Sequence, residues 1–475
     1  MLAIDSDPQS LDPRFGTDAN TSRLTDLLHA GLTRGDDSAR RVPDVASSWE
    51  WVDPQTIVFH LRHNFRFSDG TPLTADDVVA TYRAVMDPSV ASPKRTALAM
   101  LRDVDARDAS TVVMRLRVPF PPFLDATGLG ILPRAHAADR GEVSIGAGPF
   151  RVVGSDRGDR TTLAPNEGFP SGPPRLSPLV FRVVPDAVTR VLELSRGGVQ
   201  LLEETPEPEV LEWLRARPDL VVRQRAGSSF DYLAMNLRVA RLADRRVREA
   251  IALAVDSDSL VRFVLGGAAR PATGLLSPEH WAFAPQRPVR HDPRRARRLL
   301  DRAGYRDPDG PGPLPRFRLV YKTSTQPGRR RLAEAIQAQL ADVGIALDVR
   351  TLEWGTLYAD VRTGNFELCA LAWVGIGDPD FFYLAFHSTM TPPDGYNRGA
   401  YRSRVMDQLT RAGRNSTEAA VRQRVYARVQ RRLGHDLPVV PLWWEDRIVI
   451  HSRRLTGFEP TASGDLRGLA QARMN

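Results

Sequence analysis

The chain has a single cysteine, Cys369, and only two lysines, Lys94 and Lys322. One thiol permits no intrachain disulfide, so cysteine usage leaves the redox compartment open. Cys369 lies inside the apolar run LCALAWVGI (368–376), where a small buried hydrophobe is expected rather than a nucleophile. The scarcity of lysine also excludes a nucleotide-binding phosphate loop, which needs Gly-Lys followed by Ser or Thr. Lys94 follows Pro93 and Lys322 follows Tyr321. The HExxH, GxSxG and paired CxxC patterns are missing as well. His60 and His63 stand three apart on an expected strand, where an odd spacing turns two side chains to opposite faces, so neither a metal site nor a cofactor is expected. No run approaches the roughly 18 apolar residues of a membrane span.

Charge of one sign is not lacking, but it is carried unusually. The chain has 65 basic against 57 acidic residues, and 65 − 2 = 63 of the basic ones are arginine. They are interleaved with acids, as in DPRRARRLLDRAG (292–304) and RQRVYARVQRRLG (422–434), where arginine falls opposite Leu, Val and Ala. The expected reading is a solvated helix face. No aromatic interleaving or known module points to nucleic acid, which is therefore not an expected partner. The acids of EETPEPEVLEWL (203–214) are read as decorating a loop and a helix start, where they favour the dipole.

What is present is folding signal. A chain of 475 residues exceeds one ordinary core, so two or three domains are expected. In FHLRHNFRFSDGTPLTADDVVATYR (59–83), Phe59, Leu61, Phe65 and Phe67 alternate as in a half-buried strand or hairpin. Asp69-Gly70 supplies a turn. Thr74 and Asp77 form a capping box ahead of a helix whose apolar face is Val78, Val79, Tyr82, Val85 and Met86. The stretch 328–354 reads as helix then strand: Leu332, Ala335, Ile336, Gln339, Leu340 and Val343 keep helical spacing, and Ile345, Leu347 and Val349 alternate. Aromatic residues gather beside turns: Trp49 and Trp51, Trp354 and Tyr358, Trp373, Phe381-Phe382-Tyr383, and Trp443-Trp444. Such positions suit either packing or a binding cleft.

The order of several segments resembles the family 5 extracytoplasmic solute-binding proteins, the dipeptide, oligopeptide and nickel type that serve ABC importers. The resemblance runs through SDPQSLDP (6–13), AGLTRGD (30–36), VPDVASSWEW (42–51), the 59–83 stretch and GAGPFRV (146–152). It continues through NEGFPSGPPRLSPLVFRVVPD (166–186), LAMNLRVARLADRRVREAIALAVD (233–256), HDPRRARRLLDRAGY (291–305) and VVPLWW (439–444). It implies an α/β protein with the periplasmic-binding-protein-like type II fold: two discontinuous α/β lobes, a hinge and a satellite domain. The expected first lobe is 1–35, 148–228 and 441–475, the satellite 36–147, and the second lobe 229–440. The satellite would hold the 59–83 stretch, which explains good folding signals without reactive groups.

The function implied is that of an importer's binding component. It would capture a peptide or other small solute by domain closure, as a monomer, and deliver it to a membrane permease from the periplasm or another extracytoplasmic space. The candidate ligand-binding residues are the loop Phe15, Gly16, Thr17, Asp18 and Ala19, the pair Trp354 and Trp373, and Trp443 and Trp444 at the return hinge. Trp373→Ala is expected to weaken ligand binding more than tenfold with little loss of melting temperature.

The sequence departs from the peptide binders in one important place. They carry an Asp shortly after the tryptophan matched by Trp373, and it holds the peptide's amino terminus. Here WVGIGDPDFF (373–382) places Ile376 at or beside that position, and Ala234 and Ala370 stand where the oligopeptide type has charged groups. Asp378 or Asp380 would then substitute, because a buried ammonium without an anion is costly. Otherwise the ligand is not a free-amine peptide, and glycosides or modified amino acids enter; nickel is disfavoured. Two rival readings remain. The start MLAIDSDPQSLDP enters on a strand without an export-signal pattern, which suits a cytoplasmic sensor or adaptor of the same fold. An enzyme would use Asp378, Asp380 and a histidine such as His387.

Overall fold

The computed structural model describes residues 1–137, 139, 145–310 and 312–475. The expected satellite span therefore includes residues 138 and 140–144, and the expected second lobe includes 311, which lie outside the described residues. The chain divides into two units, Met1–Arg225 with Asn415–Thr417 and Arg447–Asn475, and Ala226–Arg414 with Glu418–Asp446. Two strands, Leu220–Met235 and Val439–Ser452, begin in one unit and end in the other.

The first unit contains two hydrophobic cores. One surrounds a sheet in which Leu2–Ile4 pairs in parallel with Leu179–Val183 and with Leu201–Glu203. Arg160–Pro165 and Phe150–Asp156 extend it antiparallel. The helix Ala19–Leu28 packs Leu24, Leu27 and Leu28 into this core. The other core lies under a four-stranded antiparallel sheet in the order Ala46–Asp53, Thr56–Leu61, Thr111–Leu116, Leu101–Asp108. The helix Ala75–Met86 buries Val78, Val79, Tyr82 and Val85 there, with Met86 at the margin, as the spacing predicted. The carboxylate of Asp77 accepts from the Thr74 backbone N–H at 2.8 Å and from its hydroxyl at 2.9 Å, closing the capping box. Gly70 takes φ of 89°, a left-handed conformation that only glycine adopts at little steric cost.

The second unit is α/β. Its sheet runs Ile345–Leu352, Phe317–Ser324, Leu368–Trp373, Leu220–Met235. The first two are parallel, in the register Phe317↔Ile345, and are joined by the helix Pro327–Ala341. That is the α/β unit read from residues 328–354, with Leu332, Ile336, Leu340 and Val343 buried. Leu368–Trp373 pairs antiparallel with the end of Leu220–Met235, setting Phe230 opposite Trp373. Cys369 is buried in this sheet, and burial pushes its thiol pKa well up, so it is the inert hydrophobe expected.

Arginine departs from expectation in places. The helix Ala419–Asp436 carries its arginines outward, but Arg422 is buried, and so is Arg248 on Arg245–Ala254. Arg248 caps the carbonyls of Leu242, Ala243, Asp436 and Leu437, a use of five fixed donors that hydropathy spacing does not register. Glu203 likewise is no loop decoration. It ends a strand and is buried between Arg23 at 3.0 Å and Arg447 at 3.9 Å.

Candidate functional site

The strand Leu368–Trp373 ends at Trp373 in a cluster of rings. In the antiparallel register Phe230 and Tyr232 lie on one face, so Trp373 meets the first directly and the second diagonally. Its ring is 4.1 Å from Tyr232 and 6.1 Å from Phe230, both stacked, and stands edge-on to Phe381 at 5.4 Å and Phe386 at 5.7 Å. Trp373 is 6% exposed, and its indole N–H has no hydrogen-bond partner among the described residues. The ring of Phe381 stacks on Tyr396 at 5.6 Å.

Arg398 closes this row into a circuit. It donates to the Tyr232 hydroxyl at 3.0 Å, and its guanidinium lies 5.8 Å from the Tyr396 ring centre and 5.6 Å from that of Tyr358. Tyr358 in turn stacks on Trp354 at 5.7 Å. Trp354 opens the helix Trp354–Thr363 and is 53% exposed. Trp354 and Trp373 are thus joined through Tyr358, Arg398 and Tyr232 within the second unit. The sequence reading named the two tryptophans and not Arg398, because a half-buried arginine among 63 is not distinguishable by type or spacing.

The loop after Trp373 holds the two carboxylates considered as ammonium partners. Both are occupied. Asp378 accepts from Arg422, at 2.8 Å for Oδ2 and more closely for Oδ1. Asp380 accepts from Arg414 at 2.9 and 2.7 Å. Burial pushes the Asp380 pKa up, and the Arg414 guanidinium pulls against it. Neither side chain is a free anion. Ile376, at the place of the peptide binders' Asp, is buried in the aromatic core. His387, the suggested catalytic base, is fully buried and its Nδ1 shares a hydrogen with Thr389 at 2.9 Å. An acid–base set built on Asp378, Asp380 and His387 is therefore not assembled.

Trp443 and Trp444 are neighbours on Val439–Ser452 and point to opposite faces of the strand, each 3% exposed. Trp443 enters the core with Leu233 and Met235 and hydrogen-bonds to Asp231. Trp444 enters the core with Tyr232 and Trp373 and stands edge-on to Phe283 at 6.2 Å. Asp231 is buried and held by Arg329 at 2.7 Å.

In the first unit, the loop 15–19 is set by Asp18, the N-cap of Ala19–Leu28. Burial opposes its charge, yet hydrogen bonds from Thr21 and from the Gln9 backbone outweigh that and hold its pKa low. Phe15 lies under Arg14, whose guanidinium is 5.4 Å from the ring centre. A Cβ on Gly16 would meet the Thr21 methyl at 2.2 Å, so only glycine fits there. Thr17 and Ala19 are exposed.

Among the described residues the aromatic wall is assembled and the set Asp378, Asp380 and His387 is not. Residues 40–392 match the bacterial extracellular solute-binding proteins, family 5 middle, and the chain belongs to that family. It is 27% identical to di/tripeptide-binding protein 2 of Pseudomonas aeruginosa, over 93% of this chain and 88% of that protein. It is 30% identical to protein XP55 of Streptomyces lividans, over 98% of this chain and 86% of that one. Among solved structures, the ABC transporter substrate-binding protein CtaP of Listeria monocytogenes superposes with a TM-score of 0.89 at 21% identity, covering 100% of this chain and 98% of that one. The fold is therefore the type II periplasmic-binding-protein fold, and the chain is a solute-binding component of an ABC importer. The family's members are binding proteins, and no described helix is long and apolar enough to cross a membrane.

Proposed function

We propose that this chain captures a small solute outside the cytoplasm and presents it, as a monomer, to a membrane permease. In this reading residues 1–35, 148–228 and 441–475 form one lobe, 36–147 a satellite and 229–440 the other lobe. Ligand shifts an open–closed equilibrium by its greater affinity for the closed form. A micromolar ligand contributes about 8 kcal/mol, enough to favour a closed state lying a few kcal/mol uphill when empty.

One observation carries the reading: the circuit Trp373–Tyr232–Arg398–Tyr396–Phe381 with its extension through Tyr358 to the exposed Trp354. Aromatic faces offer large contact area at small entropic cost, and the unpartnered indole N–H of Trp373 is a donor awaiting an acceptor. The ligand-facing residues of this lobe are then Trp354, Tyr358, Trp373, Tyr396 and Arg398. Phe15 to Ala19 serve in the other lobe, with the exposed Thr17 and Ala19 foremost. Trp443 and Trp444 act as packing behind the wall, and Asp378 and Asp380 fix its loop through Arg422 and Arg414.

The relatives' names speak of di- and tripeptides. A free-amine peptide would need an anion for its ammonium, and the carboxylates beside Trp373 are already paired. The test is mass spectrometry of small molecules released when the purified protein is denatured. A defined solute in near-stoichiometric amount supports the reading; protein that emerges empty from every preparation and binds no solute on screening overturns it.

A further inference from the structure

We infer that Arg398 is the receptor for a carboxylate on the solute, so that this lobe selects acidic ligands rather than ammonium-bearing ones. The inference rests on the transport reading and names its ligand class.

Arg398 has two hydroxyl partners among the described residues, Tyr232 at 3.0 Å and Tyr358, and both are neutral phenols. Among the described residues it forms no ion pair, whereas the acids around the wall are each engaged elsewhere. Asp378 is held by Arg422, Asp380 by Arg414, Asp231 by Arg329, and Asp360 by Lys322 at 2.7 Å. A half-buried guanidinium without a counter-charge is unfavourable until an anion arrives. The rings of Tyr358 and Tyr396 hold its plane, and a fixed guanidinium plane with spare N–H donors matches a carboxylate two-pronged.

The wider field points the same way. The second unit carries 33 basic and 24 acidic residues, 33 − 24 = +9, which leaves −1 of the chain's +8 for the first unit. The positive excess thus resides in the unit that holds Arg398, and it would draw anionic solutes toward that wall. The alternative role for Arg398 is a cross-tie among three tyrosines. That role predicts a loss of melting temperature without any choice between ligand charges.

The experiment is calorimetric titration and thermal shift on the full chain with matched pairs: alanyl-alanine and its C-terminal amide, N-acetylalanine and N-acetylalaninamide, glucuronic acid and glucuronamide. Wild type should bind the acid of at least one pair about 10- to 100-fold more tightly than the amide, the size of a lost charge-assisted contact. Arg398→Leu should bind the two members of that pair alike, and Arg398→Lys should keep part of the preference. Equal binding of acid and amide by wild type overturns the inference and leaves solute binding intact. So does a preference that survives in Arg398→Leu, or a released natural solute with no acidic group. If no acid of the three pairs binds, the inference likewise fails, and the released solutes still judge the transport reading by themselves.

Discussion

Trp373→Ala removes the ring at the centre of the wall, and its first effect is on stability. The side chain is 6% exposed and touches Phe230, Tyr232, Phe381 and Phe386. A tryptophan buries on the order of 200 Å² of largely apolar surface, or ~5 kcal/mol gross at about 25 cal/mol per Å². Phe381 and Phe386 can settle into part of the space, so about 3–5 kcal/mol is the expected net loss. The expectation of little loss of melting temperature counted only a ligand-facing ring; the same ring also packs on four aromatic neighbours, so a clear loss is expected. The assay is urea unfolding followed by circular dichroism, with calorimetry to separate the transitions of the two units. A loss below about 1 kcal/mol, with a normal slope, would mean that the ring is loosely held and the packing description is wrong. Trp373→Phe keeps most of the stack and should lose less than half as much stability. It then allows the ligand-binding effect of the lost indole N–H to be read from a folded protein.

Three further outcomes are expected. Arg422→Met should cost about 1–3 kcal/mol by leaving the partly buried Asp378 without its partner, and adding Asp378→Asn should restore much of it; an additive double mutant would show that the pair is not coupled. His29 is buried, and burial lowers its pKa from 6.5 to about 4, so unfolding takes up a proton between those values. Stability from this group is fully present above pH 6.5 and is lost as pH falls toward 4; His29→Gln should flatten that part of the stability–pH curve, and an unchanged slope would contradict the burial argument. Thr74→Ala opens the capping box of Ala75–Met86 and should lower stability by about 1 kcal/mol in chemical denaturation, with no change in solute affinity.

The elements governed by local spacing were legible. The Thr74–Asp77 cap, the Asp69-Gly70 turn, the apolar face of Ala75–Met86 and the 327–352 helix and strand follow from neighbours in sequence, and periodicity reports neighbours. The pairing of Trp354 with Trp373 came from family order rather than from physics. What could not be read were contacts made across long separations. Asp378 looked available because its partner Arg422 lies 44 residues away on a helix whose arginines otherwise face solvent. The burial of Trp443 and Trp444 on the two faces of their strand could not be read either, because composition does not say which faces of a strand are covered. Arg398 offered no signal, since the proposal for it rests on its forming no ion pair among the described residues, and only the fold places acids.

Small-angle X-ray scattering on the purified chain, stripped of solute by unfolding and refolding and then given back its own extract, probes capture by closure. Returning the released solutes should reduce the radius of gyration and change the curve in a saturable way. Superimposable curves with and without a solute shown by calorimetry to be bound would contradict it.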